Sequence, residues 1–152
     1  VSIPELGTIP AKKIPVVVLT SNNERELSDG LKRRCLYLYL DFPEVEKEVQ
    51  IIKARVPGVS ENLAWETAKV VSHLRNQPGL GKKPPIAETL VWARALVPLT
   101  RNRLDGKTVA DTLNLLLKTR ADQHHFIQEI GVEGIDKVLL KSAGGGYICQ
   151  CR

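Results

Sequence analysis

The stretch that decides the fold is Ile14–Pro43, IPVVVLTSNNERELSDGLKRRCLYLYLDFP. Two apolar runs, Val16–Leu19 and Leu36–Leu40, bracket a polar segment. Thr20, Ser21, Asn22 and Asn23 stand at its near end, and Lys32, Arg33 and Arg34 at its far end. Val16–Leu19 is short, β-branched and uninterrupted, the pattern of a strand buried on both faces of a parallel sheet. Ser28 suits a helix N-cap with Asp29 in the first turn, and Arg33–Arg34 suit the C-terminal end of the same short helix. Leu36–Leu40 then returns as a strand. Strand, helix and strand in this order predict the closing βαβ unit of an α/β domain. Two strands cannot form a sheet covered on both faces. The pattern therefore predicts that the neighbouring strands come from a partner or from sequence outside this chain.

Composition sets the outer bounds. The chain has 152 residues, 43% of them hydrophobic and 26% charged, enough for one ordinary domain or two small ones. No apolar run approaches the roughly 18–20 residues that span a bilayer, and residues 1–15 lack the basic start and apolar block of a signal peptide. Cys35, Cys149 and Cys151 show no metal spacing and no disulfide framework. That favours a reducing, cytoplasmic setting. The net charge of +5 permits anionic partners without requiring them. There is no methionine and the first residue is Val1, so the chain is expected to be a piece of a longer protein.

After Phe42–Pro43 the pattern turns helical, with Pro43 suited to the first helical position. Val45, Val49, Ile52 and Val56 recur at helical spacing, and Pro57–Gly58 ends them. Ser60 caps the next stripe, Leu63, Ala64, Ala68, Val71 and Leu74. Ile86, Leu90, Ala93 and Leu96 mark a third helix. A fourth is expected from Thr108 through Val109, Leu113, Leu116 and Leu117, running past Arg120 towards Ile130. The organisation predicted is an α/β part over 1–43, an all-α bundle over 44–130, and a flexible or non-native tail over 131–152, with its triple glycine at 144–146.

Several tempting motifs fail on spacing. Gly106–Lys107–Thr108 resembles the end of a phosphate-binding loop, but position 101 is Arg101 where that loop needs a glycine. Gly79–Leu80–Gly81–Lys82 is followed by Lys83, where a Ser or Thr would hold magnesium. Leu36–Leu40 with Asp41 resembles a magnesium-binding strand end, but Phe42–Pro43 follows instead of a catalytic Glu. His73, His124 and His125 predict no metal site, since adjacent helix residues point about 100° apart. Asn22 at a strand's carboxyl end lies where open α/β sheets bind ligands, or else makes an Asx turn. Arg33 and Arg34 are open to two readings, helix-end charges or a phosphate clamp.

Three blocks in order, IPELGTI, then PVVVLTSNNERELSDGLKRRCLYLYLDFP, then KPPIAETLVWARAL, resemble the MoxR branch of the AAA+ ATPases. The resemblance is closest to members found beside von Willebrand A-domain partners, and it covers roughly residues 2–120. It implies a chain comprising the end of a P-loop αβα core, its last βαβ unit, followed by a helical lid. Asn22 would be sensor 1, orienting the attacking water beside the γ-phosphate. Arg34, with Arg33 second, would be the arginine finger reaching the ATP of a neighbouring subunit. The family's sensor 2 position falls near Ala87, so either Arg94, about two turns later, reaches the nucleotide from a different angle or sensor 2 is absent. The resemblance implies ATP and Mg²⁺ as cofactors of the full-length protein, a homo-oligomeric ring (a hexamer), chaperone-like remodelling or metal-centre assembly, and a von Willebrand A-domain partner. The phosphate-binding loop and the magnesium-holding acids are not among these residues, so the chain alone is expected to bind ATP weakly and not to hydrolyse it.

Two other classes compete. A basic helical module for nucleic acid would rest on Lys82, Lys83, Arg101 and Arg103. A protein-interaction domain would need no chemistry at all. The resemblance makes nucleic acid the less favoured partner, and no membrane insertion is expected.

Overall fold

The structure, a computed structural model, describes residues 2–4, 7–8, 13–14, 16–21, 27–100 and 103–143. The chain divides into two units, Val1–Leu40 and Asp41–Arg152.

In the first unit, β1 (Ser2–Ile3) pairs antiparallel with β2 (Gly7–Thr8), with Ser2 opposite Thr8. A single-turn helix, α1 (Asp29–Lys32), follows, and the Ser28 hydroxyl accepts its Leu31 N–H at 3.4 Å. The expected βαβ unit is absent among the described residues. Val16–Leu19 and Leu36–Leu40 enter no ladder, and their side chains are exposed, Val16 at 94% and Leu38 at 78%. The described residues thus show the all-α part and do not show the α/β core expected from the sequence, and the physical reason is simple. A β-branched apolar run takes strand form only against neighbouring strands that complete its hydrogen bonds and cover its faces, and the described residues supply neither.

The second unit is all-α. Its elements are α2 (Val45–Arg55), α3 (Glu61–Arg75), α4 (Ile86–Leu99), α5 (Gly106–Asp111), a 3-10 turn (Leu113–Leu115), α6 (Arg120–His125), a π-helical turn (Phe126–Ile130) and α7 (Gly131–Ala143). α2 begins at Val45 behind Glu44 rather than at Pro43. The Ser60 hydroxyl caps α3 through Leu63 N–H at 3.2 Å.

α3 is the central helix, because it buries two faces. Ala64 and Ala68 meet Val49 and Ile52 of α2, Val56 just after it, and Ala93 of α4. Alanine at these positions lets the helices approach closely. Leu63, Val70, Val71 and Leu74 join Trp92 and Leu96 of α4, Val109, Leu113, Phe126 and Ile135 in the main core. Each fully buried aliphatic chain contributes about 1.5–3 kcal/mol by transfer from water. Trp92 is wholly buried and donates its indole N–H to the Thr112 hydroxyl at 2.8 Å, which donates in turn to Thr108 C=O at 2.6 Å.

The fourth helix expected over 108–130 is broken into pieces. Asp105, not Thr108, is its cap, accepting Thr108 N–H at 2.6 Å. Thr119 restarts the chain by a reciprocal cap, its hydroxyl accepting Asp122 N–H at 3.1 Å and donating to the Asp122 carboxylate at 2.6 Å. The tail expected over 131–152 is corrected over 131–143, and 144–152 lie outside the described residues. Residues 131–143 form α7, which packs on α3 and α5 with Ile135 fully buried. The expectation failed because Gly131 and Gly134 mask a helical stripe. Gly106 lets α5 meet α7, since a Cβ there would stand 2.5 Å from Val132 O.

One charged pair lies inside this bundle. Arg75, at the end of α3, donates to Glu48 of α2 through both terminal nitrogens, at 2.6 and 2.9 Å. The side chains are 5% and 0% exposed. The same guanidinium donates to Pro84 C=O at 2.9 Å and to the Thr89 hydroxyl at 3.3 Å. Removing one member of such a pair strands a buried charge and costs about 3–5 kcal/mol. Glu48→Ala is therefore expected to lower unfolding free energy by about that much in urea titrations, whereas Glu48→Leu with Arg75→Met together costs far less. Equal losses from the single and double variants would show that the pair is not what is being broken.

Candidate functional site

The residues carried over as a nucleotide-sensing set fall in different places. Asn22 lies outside the described residues. Arg33 and Arg34 follow α1 directly, and both are exposed. Arg33 closes the helix, its N–H bonding Asp29 C=O at 3.0 Å, and Arg34 N–H bonds Leu31 C=O at 3.0 Å. One terminal nitrogen of Arg34 turns back to Gly30 C=O at 2.9 Å. A guanidinium has five N–H donors in a planar fork, and this bond uses one. The arrangement suits a side chain that satisfies its own helix end and still presents a cation to a partner anion.

Arg94 belongs to the second unit. It is exposed on α4 and donates to Arg55 C=O at 3.3 Å, the last carbonyl of α2. An orphan carbonyl at a helix end is satisfied in this way, so the geometry gives Arg94 a joining role between α2 and α4. Arg33 and Arg34 stand in the first unit and Arg94 in the second.

The two Gly–Lys loops can be tested directly as phosphate cradles. Such a cradle needs backbone N–H groups aimed at an anion. Gly81 N–H instead donates to the Asp122 carboxylate at 2.7 Å. Gly106 N–H donates to the Asp136 carboxylate at 2.7 Å. Carboxylates of the chain itself occupy the place a phosphate would take. Neither loop therefore offers this amide to a phosphate. The Gly79 position is tight besides, with φ +97° and the His125 ring 2.6 Å from where a Cβ would lie. His125 Nε2 stands 3.0 Å from Pro78 C=O, and His124 is exposed. Among the described residues no three His, Cys, Asp or Glu side chains are grouped to hold a metal.

The basic residues of the nucleic-acid reading are also dispersed in role. Lys82 and Lys83 are exposed on the loop before α4, and Arg101 lies outside the described residues. Arg103 lies beside Glu66, whose carboxylate accepts Leu104 N–H at 2.6 Å. A half-open groove of about 310 Å³ runs between α3, the π-helical turn and α7. His73 and Gln77 line it, with their side-chain nitrogens 2.8 Å apart, and burial pushes the His73 imidazole below its usual range. Lys137 and Glu129 bring one charge of each sign to its rim.

Neither the Glu48–Arg75 pair nor the carboxylate anchors were anticipated from the sequence, although Glu48 and Arg75 sit within apolar stripes, beside Val49 and Leu74. Among the described residues no helix is long and apolar enough to cross a membrane. Comparison with protein-family models, curated proteins and solved structures finds no match to this chain.

The anchors carry a pH signature. The Thr119 hydroxyl, helped by the Gly81 and Lys82 amides and by nearby His125, holds the Asp122 carboxyl below its usual range against the opposing effect of burial. Asp105 is lowered too, chiefly by Thr108 N–H. A depressed carboxyl adds stability that is complete above the unfolded value near 4 and is lost as pH falls through the folded value. Glu66 has the opposite sign: burial raises it, so its contribution is complete below about pH 4 and fades as pH rises. Asp122→Asn is expected to cost about 1–3 kcal/mol at pH 7 and to flatten the loss of stability below about pH 4, as read by urea midpoints across pH. An unchanged slope would remove Asp122 from the acid response.

Proposed function

We propose that this chain is the C-terminal part of a MoxR-type AAA+ ATPase, carrying the sensing and trans-acting half of the nucleotide site together with the helical lid. The observation that carries the reading is the ordered set of three sequence blocks, with Arg34 exposed at the end of a one-turn helix. A compact all-α unit after residue 41 is compatible with a lid. In this reading Val16–Leu19 and Leu36–Leu40 become the last two strands of a core sheet whose other strands lie outside these residues. Their exposed apolar side chains support that, because such surface is normally covered.

Asn22 is then sensor 1, an amide that can both donate to and accept from a water. Arg34 is the arginine finger, presented to the nucleotide of an adjacent subunit, with Arg33 next in line. Arg94 is the weakest member, since its bond to Arg55 C=O already accounts for it. ATP and Mg²⁺ bind the complete enzyme, whose ring of copies, six in this reading, works in the cytoplasm beside a von Willebrand A-domain partner protein in chaperone-like remodelling or metal-centre or complex assembly.

In the complete ATPase, Arg34→Ala is expected to lower kcat by about 10³–10⁵ while leaving ATP affinity near that of the wild type. Turnover that persists in this variant would overturn the finger assignment. Asn22→Ala should slow hydrolysis more than it weakens binding. The isolated chain should show no tight ATP binding by calorimetry, and micromolar binding there would contradict a divided site.

A further inference from the structure

Phe42 is the first large side chain of the second unit, and two residues separate it from α2. It has no place in either apolar core, and 44% of it is exposed. Yet its ring faces the Arg75 guanidinium, with Cζ 4.4 Å from the ring centroid. That guanidinium cannot turn to meet a passing ring, because Glu48, Pro84 C=O and Thr89 fix its plane. The ring therefore comes to the cation, and it brings the backbone of residues 41–43 with it.

We propose that Phe42 is a strap that makes the entry segment, residues 41–43, part of the Glu48–Arg75 network. The π face of the ring attracts the cation, and its bulk keeps water off one side of a pair whose strength depends on a low local dielectric. When the segment is drawn away, the guanidinium loses its cover and the contacts joining α2, α3 and α4 loosen. The position of the segment entering the helical unit is thereby felt at the centre of that unit. This device does not depend on the nucleotide reading and stands whether or not the chain belongs to an ATPase.

The test is native-state hydrogen exchange at the amides of Val49 and Ile52 in α2 and of Asn76 at the end of α3. Phe42→Leu keeps an apolar cover and removes the π face. It is expected to speed exchange at these amides by about 2- to 30-fold, while Phe42→Tyr leaves it within about 2-fold of the wild type. In the background Glu48→Leu with Arg75→Met, the same Phe42→Leu change should have no effect. No acceleration in Phe42→Leu, or equal acceleration with and without the ion pair, overturns the strap. If the background variant does not fold, the contrast between Leu and Tyr decides alone, and equal exchange in those two overturns it.

Discussion

The buried pair of Glu48 and Arg75 is the constraint on which the helical unit depends. Two charges taken out of water cost several kcal/mol each before their attraction returns anything. They are tolerated only where their hydrogen-bonding capacity is met. Here the guanidinium meets a carboxylate from α2, a carbonyl from the segment before α4, and a hydroxyl from α4 itself. One side chain at the end of α3 thereby sets where α2 lies, how residues 76–85 return, and where α4 begins. Ala64, Ala68 and Ala93 close the remaining space between the same three helices.

A second theme is the use of carboxylates as internal anchors. Asp122 holds Gly81, Asp136 holds Gly106, Glu66 holds Leu104, and Asp105 holds Thr108, each by a backbone N–H. Connections between helices are fixed by these charge-assisted bonds. The consequence for function is direct. Both glycine–lysine loops that superficially suggest phosphate binding have an amide already committed to the protein's own anions. In the proposed reading a nucleotide role rests on Asn22 and Arg34, the residues the family resemblance implies.

Much of the helical unit was legible from apolar spacing. The stripes through Val49 and Ile52, through Ala64 and Leu74, and through Ala93 and Leu96 mark the buried faces of α2, α3 and α4, and Ser60 marks a true cap. Beyond residue 105 the reading failed, because caps at Asp105 and Thr119 cut one apolar pattern into short helices whose axes the spacing alone cannot distinguish. Gly131, Gly134 and the glycine run at 144–146 then hid a helix whose Ile135 is wholly buried. Val16–Leu19 and Leu36–Leu40 teach the opposite lesson. Both runs are apolar and Val16–Leu19 is β-branched, but a strand is a relation between segments, and neither run enters a ladder among the described residues. Glu48 and Arg75 were legible in principle, since a charge set into an apolar stripe needs a partner, although spacing could not say which.

The central claim is that Arg34 acts on a neighbour's nucleotide. Its most direct test is complementation between two silent forms of the complete ATPase. One carries Arg34→Ala with its own phosphate-binding loop intact, and the other keeps Arg34 but has that loop disabled. Co-assembled, the two are predicted to recover ATP hydrolysis, because an intact Arg34 then faces an intact loop across the subunit boundary. If mixed assemblies form and hydrolysis does not return, Arg34 does not act in trans and the account is contradicted.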